Sequence, residues 1–149
     1  MMFIDTNVFY NFMFETELTS EAVKILEIDE RLATSFIVVN ETLYILARKL
    51  AERRFGVKSN QKFRNFISEN GYEPFRKEME KLLGLVEDLS VEILTDHQDV
   101  SEIWKIMCEH KLLPNDALIA ATCKHYGIRK IATFDEDFER VDFLEIVRL

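Results

Sequence analysis

Short apolar runs that end in a polar residue and lead into a helix constrain this chain more than any other feature. Met2–Ile4 ends at Asp5 and passes into an apolar helical stretch over residues 8–14. The same kind of run marks predicted strands at residues 32–34, 91–94 and 129–133, with a possible edge strand at 144–147. Strands that alternate with helices predict a three-layer α/β/α domain with a mainly parallel central sheet.

The longest predicted helix begins after Ser35, which we expect to cap it, and ends near Phe55. Thr19 is expected to cap an earlier helix, and Asn115 a later one over residues 116–125. The other helices are predicted at residues 60–68, 74–88 and 100–110. The region from about residue 58 to 88 is extended and has the character of an insert.

Size and hydropathy indicate one soluble domain over residues 1–149. The chain is 48% hydrophobic, enough for one buried core, and no linker or repeat divides it. No apolar run approaches the roughly 20 residues of a membrane span, and no leader precedes Met2. Only two cysteines are present, which favours a reducing, cytoplasmic location.

Two Cys-x-His triplets, at Cys108 and Cys123, raise the possibility of a zinc site. Both triplets lie in predicted helices, where residues i and i+2 point in nearly opposite directions. We therefore expect no zinc there and interpret the cysteines as small apolar residues. The three histidines are interpreted as ordinary helix or surface residues.

Charge is divided unevenly along the chain. The net charge is −8, yet residues 44–66 carry seven basic side chains against the single acid Glu52, a local sum of +6 that leaves −14 elsewhere. The segment predicts a basic face that could hold an RNA backbone, and it is equally typical of a solvated helix surface. The candidate RNA-binding residues are Arg48, Arg53, Arg54 and Lys58.

Four acids are predicted to converge at one edge of the sheet. Asp5 and Asp135 follow strands, and Glu41 and Asp116 lie early in helices that start from the same edge. Each acid alone could be a helix cap, a turn former or a solvated charge. Together they would repel one another unless a cation were bound, and hard oxygen ligands favour Mg²⁺ or Mn²⁺ over zinc.

Four motifs support a family resemblance that extends over the whole chain. They are Phe3-Ile4-Asp5-Thr6-Asn7-Val8, Val38-Val39-Asn40-Glu41, Pro114-Asn115-Asp116-Ala117-Leu118-Ile119-Ala120-Ala121 and Ala132-Thr133-Phe134-Asp135-Glu136-Asp137-Phe138. This pattern resembles a PIN domain, in particular the VapC group of toxin ribonucleases. The Glu41 motif is the least specific of the four.

The resemblance implies an endoribonuclease that hydrolyses RNA phosphodiester bonds with Mg²⁺ or Mn²⁺ and no side-chain nucleophile. It implies that Asp5, Glu41, Asp116 and Asp135 are catalytic metal ligands, and that Asp137 is an accessory ligand. Thr6, Asn7 and Thr133 match the family's supporting polar positions. An antitoxin partner, as in VapBC pairs, and a homodimer through apolar helices of the N-terminal half are also expected.

Two other functions are compatible with the acids. One is a noncatalytic PIN-fold module for RNA binding or assembly. The other is a phosphatase with Asp5 as aspartyl nucleophile; such enzymes usually carry a second Asp two residues later, where this chain has Asn7.

Overall fold

The computed structural model describes all 149 residues and contains five short strands. In chain order they are β1 (Met2–Ile4), β2 (Leu32–Ser35), β3 (Glu92–Leu94), β4 (Lys130–Ala132) and β5 (Glu145–Ile146). Their order in the sheet is β3-β2-β1-β4-β5, and every neighbouring pair is parallel. The predicted α/β class with a parallel sheet is confirmed, and the proposed edge strand is present.

Seven α-helices surround the sheet. They are α1 (Thr6–Met13), α2 (Thr19–Leu26), α3 (Phe36–Phe55), α4 (Asn60–Asn70), α5 (Arg76–Asp88), α6 (Val100–His110) and α7 (Pro114–His125). Short 3₁₀ turns cover Glu73–Phe75 and Glu136–Arg140. The insert-like region of the sequence is therefore the α4–α5 pair, and no helix in the structure is long and apolar enough to cross a membrane.

The central strand β1 explains why the sheet forms where it does. Met2, Phe3 and Ile4 are completely buried, as expected for a parallel strand covered on both faces. The strand pairs in register with β2 on one side and β4 on the other. Thr34 adds a side-chain hydrogen bond from its Oγ1 to the carbonyl oxygen of Ile4, 2.9 Å away. Asp5 is thus fixed at the carboxyl end of the best-packed strand.

The N-terminus of α3 is capped differently from the sequence expectation. Ser35 occupies the N-cap position, but its hydroxyl makes no capping bond and is buried without a partner. Instead, Asp96 in the loop after β3 accepts the backbone N–H of Ile37, with Oδ2 at 3.1 Å. A distant carboxylate therefore supplies the cap and also benefits from the helix dipole.

Two further predicted caps are wrong. Leu113 is the N-cap residue of α7, and Pro114 occupies its first turn, so Asn115 lies inside the helix. Proline is favoured there because its fixed φ suits a helix start and its missing N–H would have no helical partner. Likewise, Leu18 is the N-cap residue of α2, while the Thr19 hydroxyl donates to the carbonyl oxygen of Asn11 at 2.7 Å.

Candidate active site

Asp5 is the most deeply placed acid of the site. It is only 5% exposed, and its Oδ1 accepts the backbone N–H of Thr6 at 2.8 Å. Its Oδ2 accepts the Thr133 hydroxyl at 2.7 Å and the Asn7 side-chain amide at 3.3 Å. These bonds fix the direction of the carboxylate at the end of β1.

Asn7 and Thr133 join the start of α1 to the loop after β4. The Asn7 amide nitrogen donates to Thr133 Oγ1 at 3.1 Å, and its amide oxygen accepts the backbone N–H of Phe134 at 3.0 Å. Thr133 Oγ1 also accepts the backbone N–H of Asp135 at 3.0 Å. The supporting polar residues named from the sequence thus connect the loop that carries Asp135 directly to Asp5.

Glu41 reaches the same site from the second turn of α3. Thr6 donates a 3.0 Å hydrogen bond from its hydroxyl to Glu41 Oε2. The backbone N–H of Thr6 is bound to Asp5, so one residue orients two of the four acids. This direct link between the first and second motifs gives the Glu41 assignment a geometric basis that its weak sequence motif lacked.

Three aspartates of the site lie particularly close to one another. Carboxylate oxygens of Asp116, Asp135 and Asp137 all lie within 4.8 Å of one another. Asp135 Oδ1 accepts the backbone N–H of Asp137 at 2.8 Å, and Arg140 donates from Nη1 to Asp137 Oδ1 at 3.0 Å. The same guanidinium donates to the carbonyl oxygens of His110 and Lys111, so it ties Asp137 to the α6–α7 loop.

The electrostatics of the site disfavour several bare carboxylates together. Burial raises the pKa of Asp5 from 3.8 to about 6, and the charges of Asp116 and Glu41 add to the effect. Burial also raises the pKa of Asp116 to about 6, followed by repulsion from Asp135, Glu41 and Asp137. Arg140 opposes the rise at Asp116. A bound cation would relieve this repulsion.

All four predicted acids line a single open cavity of about 350 Å³. Thr6, Asn7, Tyr10 and Ile45 complete its lining. We call it the acidic cavity. The convergence expected from the sequence is therefore present, whereas the role of each acid as a metal ligand stays a prediction.

Comparison with known proteins identifies the family of this chain. The PIN domain family model matches residues 2–144, which is nearly the whole chain. This chain belongs to the PIN-domain family. Ribonuclease VapC2 of Methanocaldococcus jannaschii is 38% identical over 120 residues, covering 76% of this PIN domain and 69% of that protein.

Solved structures agree on the fold of this PIN domain. The crystal structure of VapC20 from Mycobacterium tuberculosis, a Sarcin-Ricin loop cleaving toxin, aligns with a TM-score of 0.67 at 19% identity. A toxin-antitoxin complex from Klebsiella pneumoniae contains a chain that aligns with a TM-score of 0.63 at 16% identity. Each alignment covers 100% of both chains. The resemblance to VapC proteins drawn from the sequence is confirmed.

The basic residues of the PIN domain are not equivalent in the structure. Arg48 lines a second cavity, described below, while Arg53 places its guanidinium over the ring of Phe14, 4.8 Å from the centroid. Arg54 donates to Glu78 and to the carbonyl oxygen of Pro74, joining α3 to the segment that leads into α5. Lys58 is exposed in the α3–α4 connection.

The cysteines and histidines of the two triplets form no metal cluster. Cys108 is exposed on α6 and Cys123 is buried on α7, and the only group of three or more close metal-binding side chains is the aspartate trio. Burial raises the pKa of the Cys123 thiol, which keeps it protonated and apolar in character.

Sequence reasoning missed three participants of this site. Tyr10 and Ile45 line the acidic cavity, yet both are apolar or aromatic residues on helical faces and look like core positions. Arg140 lies three residues after Asp137 in a 3₁₀ turn. That i,i+3 spacing is the one sequence signal that could have indicated the Arg140–Asp137 pair.

Proposed function

We propose that this PIN domain is a metal-dependent endoribonuclease, the toxin of a VapBC-type toxin-antitoxin pair. The observation that carries the proposal is the meeting of Asp5, Glu41, Asp116 and Asp135 in one open cavity at the carboxyl edge of the sheet. The relationship to VapC2, a ribonuclease by name, supports RNA as the substrate.

The residues present fit a divalent cation. Asp116, Asp135 and Asp137 offer three carboxylates within 4.8 Å of one another. Asp5 and Glu41 line the acidic cavity together with Asp116 and Asp135. Oxygen ligands of this kind suit Mg²⁺ or Mn²⁺. When bound, such an ion supplies charge neutralisation for a phosphodiester and lowers the pKa of water for hydrolysis.

The chain's own residues hold the carboxylates in place and disfavour Asp5 as a nucleophile. Thr133 and the Thr6 amide each donate a hydrogen bond to one oxygen of Asp5, which fixes the carboxylate and makes it a weaker nucleophile. Asn7 stands where an aspartyl phosphatase usually carries its second aspartate, and an amide cannot act as a general acid or base. Water is therefore the nucleophile that this geometry favours.

The basic segment is proposed to hold the RNA backbone. Arg48, Arg53, Arg54 and Lys58 lie on or just beyond the part of α3 that leads away from Glu41. At about 1.5 Å per residue, the α-carbon of Arg53 is about 18 Å along the helix from that of Glu41, a distance that one RNA strand can span.

We also propose an antitoxin partner, which the toxin-antitoxin assembly of the Klebsiella pneumoniae structure supports. Co-expression with the product of the adjacent gene, followed by purification through a tag on that product, tests it. Recovery of this chain at equal stoichiometry with loss of cleavage is expected; independent migration of the two proteins would contradict it.

A homodimer is proposed as well; the contact through apolar helices of the N-terminal half stays a prediction, and α6 offers a second candidate surface. The apolar side chains of α1 and α2 are largely used in the chain's own core. In contrast, α6 exposes Val100 by 78% and Trp104 by 63%, four residues apart on one helical face. Sedimentation of Trp104→Glu tests this surface, since a dimer that persists in the variant would exclude it.

The enzymatic proposal is tested by incubating the purified protein with unstructured RNA and Mg²⁺. Internal cleavage is expected. RNA that is bound but never cut would favour the noncatalytic module instead, and turnover of phosphate monoesters without RNA cleavage would favour the phosphatase.

A further inference from the structure

A second cavity lies next to the acidic cavity. It has a volume of about 550 Å³ and is lined by Tyr10, Tyr44, Ile45, Arg48, Lys49, Glu52 and Asn60. Tyr10 and Ile45 line both cavities, so the two lie side by side along α1 and α3. We call the second cavity the Tyr10–Lys49 groove.

The periodicity of α3 builds this groove. Glu41, Ile45 and Lys49 are spaced by four residues and therefore follow one another along one helical face. Successive members are separated by about 6 Å along the axis, so Lys49 lies about 12 Å beyond Glu41. Along this face of α3 the side chains are therefore first acidic (Glu41), then apolar (Ile45) and finally basic (Lys49).

The cation at the far end is available for a ligand. Lys49 makes no hydrogen bond or ion pair with any residue of the chain, although it is partly buried along the groove. Arg48 is already held by the carbonyl oxygen of Ser59 at 3.1 Å and lies over the ring of Phe63. Lys49 is therefore the positive group most free to meet a phosphate there.

Two aromatic rings flank the passage between the acids and Lys49. Tyr44 is 51% exposed, and its edge-to-face contact with Phe63, with 5.7 Å between centroids, holds the ring in position. Tyr10 packs against Phe14 with 4.9 Å between centroids. Tyr10 is half-buried and Tyr44 is exposed. Aromatic rings held in position beside a cation are the combination that binds an unpaired base and its phosphate.

We propose that the Tyr10–Lys49 groove binds one unpaired nucleotide next to the phosphodiester that is cut. Its base packs against Tyr44 and Tyr10, and Lys49 binds its phosphate. The inference rests on the proposed ribonuclease function and restricts the substrate to single-stranded or loop RNA. In an A-form duplex the base faces are already stacked and cannot enter such a groove.

The experiment uses a short unstructured RNA whose cleavage position with the wild-type protein has been mapped. Each nucleotide beside the cut is replaced, one at a time, by an abasic nucleotide, and binding is measured in an Asp116→Asn background. Removal of one adjacent base is expected to weaken binding about tenfold, in line with the usual contribution of base–aromatic stacking.

The same series in Tyr44→Leu identifies the ring responsible. The penalty for the missing base should disappear in Tyr44→Leu, return in Tyr44→Phe, and persist in Tyr126→Leu, a control at an exposed tyrosine that lines neither cavity. Tyr10→Leu provides an independent variant if Tyr44→Leu fails to fold. Equal penalties in the parent, Tyr44→Leu and Tyr10→Leu would overturn the proposal.

The phosphate contact has its own test. Lys49→Gln should reduce the slope of log affinity against log salt concentration by about one unit, the change expected for one lost phosphate contact. Lys105→Gln, a control on α6, should leave the slope unchanged. Glu52→Gln should strengthen binding, because this acid lines the outer end of the groove. Equal slopes in the two lysine variants would exclude a Lys49 phosphate contact.

A duplex control separates this inference from the proposed function. The same RNA annealed to its complement should bind far more weakly; equal binding would contradict an unpaired base in the groove. If the single strand is cut but responds to none of these changes, the ribonuclease proposal stands and the subsite is wrong. If no RNA is bound or cut, both fail.

Discussion

The Thr133 hydroxyl donates a 2.7 Å hydrogen bond to Asp5, a residue 128 positions earlier in the chain. The bond lowers the pKa of Asp5 and so opposes the rise caused by burial. The same hydroxyl also accepts the backbone N–H of Asp135. It therefore helps to position two of the four acids.

Thr133→Val should therefore reduce RNA cleavage by more than tenfold while leaving the fold intact. Valine keeps the shape but removes the donor and leaves Asp5 with a weaker hold on its orientation. Thr133→Ser retains the hydroxyl and should keep most activity. The measurement is kcat/KM for both variants beside their circular dichroism spectra. Equal losses in valine and serine would show that packing, not the hydrogen bond, matters here.

Capping of α3 can be tested by a matched pair of alanine variants. Ser35→Ala should change the free energy of unfolding by less than about 0.5 kcal/mol, since the buried hydroxyl has no partner to lose. Asp96→Ala should cost about 1 kcal/mol by removing the acceptor for the Ile37 N–H. Chemical denaturation provides both values. The reverse order would restore Ser35 as the cap.

The metal-free protein should gain stability from Asp116→Asn in a pH-dependent way. The pKa of Asp116 is raised to about 6 in the folded protein, so the folded state holds its proton more tightly than the unfolded state. Stability associated with this group is present below pH 4 and is lost as the pH rises through 6.

The difference between Asp116→Asn and wild type should therefore be near zero at low pH and grow to about 1–2 kcal/mol above pH 6, after allowance for solvent screening. Denaturation in EDTA across this range measures it. A difference that is constant with pH, or a large loss of stability in the variant, would assign Asp116 a structural role.

Neutralisation of Arg53, Arg54 and Lys58 tests the outer part of the basic segment. If these residues contact RNA, the triple variant should bind more weakly and with a flatter salt dependence, by about one unit of slope per lost phosphate contact. Cleavage at saturating RNA should change much less. Affinity is measured across a salt series in an Asp116→Asn background, and parallel log-log lines would show a solvated surface.

The structure suggests that these three residues will contribute unequally. Arg54 bonds to Glu78 and Pro74, so its removal also loosens the α3–α5 contact, and the Arg53 guanidinium is placed over Phe14. Melting temperatures of the single variants separate such structural effects from binding.

Sequence reasoning succeeded where hydrophobic pattern and strand order decide the answer. The continuous apolar run Met2–Ile4 identifies a strand buried on both faces, and its end fixes the position of Asp5. It failed at the starts of α3 and α7, where local cap signals at Ser35 and Asn115 were overruled by Asp96 and Pro114. Asp96 lies 59 residues after Ile37, so the residues near the start of α3 do not indicate that it accepts this hydrogen bond.

Within the site, the meeting of the acids was predictable because Asp5 and Asp135 follow strands and Glu41 and Asp116 lie early in helices that start at the same edge of the sheet. The groove beside them was not, because Tyr10 and Ile45 have the same helical spacing as core residues and only the packing of α1 on α3 exposes them. Likewise, the sequence of the basic segment predicted a positively charged surface. It did not predict that Arg48 and Arg54 are hydrogen-bonded to other residues of the chain.

The most direct test of the central claim is RNA cleavage by the wild type, Asp116→Asn and Asp142→Asn after treatment with EDTA and stepwise return of Mn²⁺ or Mg²⁺. Asp142 is an exposed acid outside the acidic cavity and serves as the matched control. Cleavage should vanish in EDTA, return with metal in wild type and Asp142→Asn, and stay at least a hundredfold lower in Asp116→Asn, in line with an electrostatic group lost from an active site. Undiminished cleavage in excess EDTA, or equal activity of the two asparagine variants, would contradict the account.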